Sequence, residues 1–480
     1  MASVFSRRIG RSLQVRLYSA AARPEAKEPQ LSKQGAKLTK LPNGLVVASL
    51  ETYSPLSRIA LVAKAGPRFE NGDNLGVTHC LRIAAGLSTQ NMSSFGMTRS
   101  LEQVGANFTC TSSREYMFYR VECIRDNLEL ATEVLRQVTT APAFKPWELT
   151  EIQNRLKLDL AILKSQPATM VYDLLHQAAF RKTLGNSLYA PDFMVGKYSR
   201  EQLLNYMKSY YSTGRVALVG VGVDHEELVE CAQKFTPFAS AATAADKATY
   251  GGGEIRVNTG GSLAYVAVAV EGPSTGKFGK TGRLAGKELL HAAVLQNVMG
   301  LGPSIKYSTG GATSLLTQAI TKATSQPFAV SCLNANYTDN GLFGFFAIAQ
   351  ATEMEKVLQA AFKQFAAITK NGLDEKEVAR GKYRLQADFG MYMETSSSLL
   401  QQLKARIAMQ QEQSENSALD FAEQALSGEQ LVSPNDLFTF IEGITTADVT
   451  NVAKKLVNGT PTMAAVGNLS HTPYLDQFRK

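Results

Sequence analysis

A chain of 480 residues is too long for one hydrophobic core of ordinary size and points to at least two domains. With 44% hydrophobic and 19% charged residues it has the make-up of a globular body, and no apolar run approaches the ~20 residues that a membrane-spanning helix needs. Any membrane association is therefore expected to run through partners. The five cysteines (Cys80, Cys110, Cys123, Cys231, Cys332) are odd in number and never form a C-x-x-C pair, which argues against a disulfide framework or thiolate zinc site and for a reducing compartment.

In chain order, the first informative segment is MASVFSRRIGRSLQVRLYSAA. It carries Arg7, Arg8, Arg11 and Arg16 and meets no acidic residue before Glu25. Wound as a helix, it puts Phe5, Ile9 and Leu13 on one face and Arg7 and Arg11 opposite, the pattern of a mitochondrial transit peptide. Residues 1–18 are read as that peptide and 19–37 as a flexible extension. Cleavage near Tyr18 would take four arginines from a chain of net charge +8 and leave +4. Much of the basic character thus belongs to the address. With no basic cluster interleaved with aromatics elsewhere, no nucleic-acid partner is expected.

The remainder reads as one α+β plan used twice. SRIALVAKAG is an apolar strand ending at Gly66-Pro67, and SLAYVAVAVEG is its counterpart ending at Gly272-Pro273. A pair of β-like runs follows in each half: FTCTSS with MFYRVECI, then FAVSCLNA with GLFGFFAIAQ. Each pair leads into an amphipathic helix, with Leu128, Ala131, Leu135 and Val138 in one and Val357, Ala360, Ala361 and Phe365 in the other. Each half closes with a capped helix and a short apolar strand. Ser199 with Gln202 precedes RVALVGVGVDH, which is read as a strand running to His225; Thr445 with Asp448 precedes TMAAVGNLSH, which runs to His471. The Ala/Ser/Thr/Gly-rich stretch at 238–253 is the expected linker between domains spanning 38–237 and 254–480.

The segment GVTHCLRIAAGLST, residues 76–89, resembles the G-x-x-H-x-x-E-H helix of the pitrilysin-like zinc peptidases, the family of insulysin and the mitochondrial processing peptidase. In that family two histidines four apart hold zinc, and a glutamate before the second activates water. Here His79 matches the first histidine, Arg82 stands where the glutamate belongs, and Ile83 replaces the second histidine. The resemblance places the third ligand on the helix leading into VYDLLHQAAF, and Asp159 is the matching position. The implied fold is two homologous domains, each a mixed sheet covered by helices.

A catalytic zinc needs three protein ligands, and His79 and Asp159 supply at most two. Arg82 would add a repulsion on the order of 7 kcal/mol at 5 Å and an effective dielectric of ~20. Neither Arg82 nor Ile83 has a proton to take or give at neutral pH. No catalytic, metal-binding or cofactor-binding residue is therefore expected, with His79, Arg82, Ile83 and Asp159 marking a degenerate zinc site. Arg82 pairing with Asp159 in the metal's place is a further expectation.

Other motifs carry less. Gly220 and Gly222 lack the third glycine of a dinucleotide loop, and MGLGPSIKYSTGGATSLL (299–316) lacks the Lys-Ser/Thr of a phosphate loop. It lies where the processing peptidase's non-catalytic subunit has a glycine-rich loop. His176, His225, His291 and His471 show no ligand spacing. The second half, through QPFAVSCLNANYTDNGLFGFFAIAQA and MAAVGNLSHTPYLDQF, resembles the peptidase-like core subunits of respiratory complex III. That resemblance implies a non-catalytic, matrix-side peripheral subunit of the mitochondrial inner membrane. It also implies a dimeric complex in which the chain pairs with core subunit 1 and meets cytochrome b, cytochrome c1 and the Rieske protein. The alternatives it leaves are the substrate-binding subunit of the processing peptidase, or residual presequence cleavage shared with core subunit 1.

Overall fold

The computed structural model describes residues 37–212, 214–236, 238, 246–274, 285–302, 314–394 and 434–478. The expected transit peptide, all but the last residue of the extension, part of the linker and most of the glycine-bearing stretch lie outside these. Among the described residues, eleven strands form two sheets. The first takes β1 (Lys37–Lys40), β2 (Val46–Leu50), β3 (Leu56–Ala63), β4 (Asn107–Ser112), β5 (Met117–Ile124) and β6 (Val216–Val221) in the order β1-β2-β6-β3-β5-β4. The second takes β7 (Gly253–Asn258), β8 (Leu263–Glu271), β9 (Phe328–Asn336), β10 (Gly341–Gln350) and β11 (Thr462–Gly467) in the order β7-β11-β8-β10-β9.

The wiring of the two sheets is the same once β1 is set aside. β2 pairs parallel with β6 as β7 pairs with β11, and every other pairing is antiparallel. The duplication read from the order of motifs is thus a duplication of topology. The β1–β2 ribbon and β7 carry weak alternation and were not read as strands. β1 takes in Lys37, at the end of the expected extension, and β7 starts at Gly253, at the end of the expected linker.

Helices α1 (Val77–Ala84), α2 (Ser94–Gln103), α3 (Leu128–Thr140) and α6 (Arg200–Tyr210) cover one face of the first sheet. Ile59, Leu61, Met117, Tyr119, Val121 and Leu218 supply the sheet side of that core, at the period of two that a half-buried strand requires. Both expected capping boxes form, at Ser199–Gln202 and Thr445–Asp448. The RVALVGVGVDH segment differs from expectation: β6 stops at Val221, and His225 opens α7 (His225–Gln233), whose first turn is capped by Asp224. An Asp before a Glu-rich turn is a helix start, and the glycines mask it by extending the apolar run.

Two helices tie the halves together. α4 (Pro146–Ser165) and α5 (Pro167–Phe180) are separate because Pro167 pushes Gln166 out of the helical region, to φ −115°, ψ 82°. α5 then leaves its own sheet. Its Val171, Leu175, Ala179 and Phe180 pack on Ala267, Ala269, Phe346, Ala464 and Val466, the far face of the second sheet. The near face of that sheet is covered by α8 (Ala285–Met299), α9 (Leu315–Thr321), α10 (Met354–Asn371), α11 (Glu375–Glu394), α12 (Pro434–Glu442) and α13 (Thr446–Val457).

The β4–β5 and β9–β10 hairpins turn alike: Ser113 N–H donates to Tyr116 O at 2.9 Å, and Tyr337 N–H donates to Asn340 O at 2.8 Å. These equivalent turns meet between the halves. Glu115 Oε2 accepts from the backbone and hydroxyl of Thr338 at 3.0 and 2.8 Å, while Arg68 binds both Glu115 and Asp339. On the same side, buried His176 of α5 accepts from Tyr337 Oη at 2.7 Å through Nε2 and donates from Nδ1 to Tyr172 O at 2.7 Å.

Two outcomes follow from this junction. Replacing Arg68 with Met leaves two sheltered carboxylates unpaired, and chemical denaturation is expected to show a loss of about 3–5 kcal/mol. Burial, helped by Arg114 and opposed by Asp173, pushes His176 down to about 3. The unfolded chain therefore takes up this proton first, so the stability contribution is complete above pH 6.5 and is lost as pH falls toward 3, at about 1.4 kcal/mol per pH unit. In His176→Gln the pH dependence of unfolding between 6.5 and 4 should flatten by about one proton, and an unchanged slope would refute this assignment.

Candidate functional site

The residues singled out by the resemblance come from two helices, α1 and α4. α1 opens at Gly76, where φ is +78° and a Cβ would sit 2.5 Å from Ala190 Cα, so both the turn and the close approach require glycine. The orphan donors at the head of α1 are taken by Glu70, which accepts from Gly76 N at 2.7 Å, Thr78 N at 2.8 Å and Thr78 Oγ1 at 2.6 Å. Burial pushes the Glu70 carboxyl up to about 7, against the pull of those donors. Tyr198 locks the same turn from the other side by donating to Leu75 O at 2.8 Å.

His79 sits one turn into α1 and is fully buried. The backbone N–H of Ala190 donates to Nδ1 at 3.1 Å, so Nδ1 is the unprotonated nitrogen and Nε2 carries the proton, which it donates to Asp159 Oδ2 at 3.1 Å. Burial and the neighbouring Arg82 hold the imidazole down to about 4, with Asp159 opposing. The ring is neutral at physiological pH. Asp159 reaches it from α4, which is anchored by Ile152, Leu156 and Leu160 on its buried side.

Arg82 is close by but loosely held. Its Nη2 lies 4.0 Å from Asp159 Oδ2, its Nη1 makes a long 3.4 Å contact with Ser112 Oγ, and its guanidinium carbon stands 5.7 Å over the Tyr189 ring. The expected Arg82–Asp159 pair therefore forms at the outer limit of an ion pair, while Asp159 also accepts from His79. Ile83 packs against the first core. The structure thus brings His79, Arg82 and Asp159 together and turns Ile83 away.

The donor set does not fit a zinc ion. Both ring nitrogens of His79 are engaged, a guanidinium occupies the open side, and among the described residues no three His, Cys, Asp or Glu side chains converge to hold a metal. What the cluster offers chemically is hydrogen-bond donors and acceptors around a neutral imidazole.

Sequence spacing missed Glu70, Tyr189 and Ala190, which hold the cluster through tertiary contact alone. Of the isolated histidines, His225 bridges Thr39 Oγ1 at 2.8 Å and Ser49 Oγ at 2.7 Å, tying β1 to β2, and His471 is exposed. Gly220 and Gly222 serve the β6–α7 turn: a Cβ on Gly220 would lie 2.7 Å from Leu228 Cδ2. All five cysteines are free thiols, and no helix among the described residues is long and apolar enough to cross a membrane.

Comparison with known proteins places this geometry. Residues 46–192 match the family model of the insulinase-type M16 peptidases, and residues 197–385 match that of the M16 inactive domain. The human protein named cytochrome b-c1 complex subunit 2, mitochondrial, is 40% identical over 96% of this chain and 95% of its own length. Its mouse counterpart is 39% identical over 96% and 98%. The alpha subunit of the human mitochondrial-processing peptidase is more distant, at 27% identity over 92% and 84%. Two matched halves built on one repeated topology, with similarity running nearly from end to end, establish that the chain belongs to the M16 peptidase family.

Proposed function

We propose that the chain is a non-catalytic structural core subunit of the mitochondrial cytochrome b-c1 complex, the ubiquinol-cytochrome c reductase. The observation that carries the reading is the near-complete similarity to proteins named as subunit 2 of that complex, well above the similarity to processing-peptidase alpha subunits. The local chemistry supports it. Where the peptidase family places a base and a second histidine, this chain has Arg82 and Ile83, and His79 spends both nitrogens on protein partners. His79, Arg82, Ile83 and Asp159 are the remains of a zinc site, without metal, cofactor or catalytic role.

In this reading residues 1–18 are the removable address, and domains 38–237 and 254–480 flank the linker at 238–253. The body sits on the matrix side of the inner membrane, held there by core subunit 1, cytochrome b, cytochrome c1 and the Rieske protein in a dimeric assembly. A subunit of this kind works through its faces. Obligate contacts commonly bury roughly 2,000 Å² or more, so rigidity of the body is the property under demand.

Three measurements test the reading. On native gels the chain should co-migrate with cytochromes b and c1, and association with a soluble peptidase in their place would favour the second family branch. Val266→Asp puts a charge in the core strand β8, where Val266 is fully buried, and should abolish accumulation of the assembled complex. Metal analysis of the purified chain should find no stoichiometric zinc, and chelator-sensitive presequence cleavage by the chain alone would overturn the proposal.

A further inference from the structure

We infer that the relic pocket has been inverted from a cation site into an oxyanion site, in which Arg82 holds the carboxylate of an acidic group brought from outside the chain. The inference rests on the cluster's geometry and is independent of the assembly role proposed above. Arg114, Arg136 and Arg256 each hold partners at 2.6–2.9 Å. Among the described residues, Arg82 has the 3.4 Å contact to Ser112, the 4.0 Å approach to Asp159 and the Tyr189 ring at 5.7 Å. A guanidinium carries five N–H donors in a planar fork, so most of its capacity is unspent.

The surroundings shape that capacity into a site. Arg82 is 21% exposed, sheltered enough to be poorly hydrated and open enough to be reached. Tyr189 backs one face of the guanidinium, and Ser112 offers a hydroxyl beside it. His79 donates to Asp159 Oδ2 at 3.1 Å and holds that carboxylate at the 4.0 Å distance from Arg82, with its charge still nearby. A carboxylate fits this arrangement because it can accept two N–H bonds from the fork side by side. A divalent cation does not, because the same fork repels it.

Asp159 gives the inference its sharpest consequence. If Arg82 were merely paired with Asp159, neutralising the aspartate would remove a partner and nothing would take its place. If Arg82 is an anion holder, neutralising Asp159 removes a repelling charge and tightens binding.

The test uses the full-length chain, with hydrogen exchange of Val77–Ala84 followed in sodium acetate against sodium chloride at matched ionic strength. Acetate should protect α1, Arg82→Gln should lose the acetate-specific protection, and Arg155→Gln, at an exposed arginine on α4, should keep it. Asp159→Asn should lower the half-saturating acetate concentration about threefold or more. A blocked pentapeptide with one central glutamate, set against its glutamine counterpart, separates an acidic side chain from a free carboxylate as the source. Protection by that peptide well below the acetate concentration assigns the side chain, and protection by acetate alone assigns the free anion. Should Arg82→Gln fail to fold, the wild-type chain and Asp159→Asn still decide. Absence of acetate-specific protection in the wild-type chain, its persistence in Arg82→Gln, or its weakening in Asp159→Asn would overturn the inference.

Discussion

The meeting of two equivalent hairpin turns through Arg68 is the contact on which the two-domain body depends. Each half buries a helical face in its own core, but the turns of the β4–β5 and β9–β10 hairpins bring Glu115 and Asp339 together between the halves. Arg68 resolves this by placing one guanidinium between Glu115 of the first turn and Asp339 of the second, while Thr338 completes Glu115. Asp339 also accepts from Ala248 N at 2.7 Å, which fixes the end of the linker to the same point. Such a buried set is worth little over apolar packing but is costly to break, so it sets the relative placement of the halves more than their stability.

α5 reinforces that placement with apolar area. Its sequence is apolar around most of its circumference, and a helix of that kind belongs between two layers. One side of it belongs to the first half, where Asp173 pairs with Arg114 at 2.9 Å, and the other lies on the second sheet. The polar turn contact and the apolar helix contact thus act on one junction from two sides.

How much of this was legible in the sequence depended on whether the determinant was local. Strand runs such as LSRIALVA, the Ser199 and Thr445 boxes and the α3 stripe are set by residues a few positions apart, and each stands where the pattern placed it. The β1–β2 ribbon and β7 were missed because a six-residue segment such as GEIRVN gains its strand character from the neighbour it pairs with. α7 was missed because two glycines and an apolar run outweighed its Asp224 cap. The proximity of Asp159 to His79 was legible only through family resemblance; no spacing of 80 residues encodes a 3.1 Å contact.

The site shows how a helix can be fixed without a metal ion. In a metal centre the ion itself can hold helices together, and its removal then loosens them. Here α1 is positioned by means that involve no ion: the Glu70 carboxylate on its first turn, the close approach of Gly76 to Ala190, the Tyr198 hydroxyl on Leu75, and Ala190 N–H on His79. The His79–Asp159 bond keeps α4 against α1 with one neutral donor and one acceptor. α1 is thus fixed by contacts that involve neither Arg82 nor Ile83. Ile83 packs against the first core, and the Arg82 side chain stays 21% exposed beside Asp159.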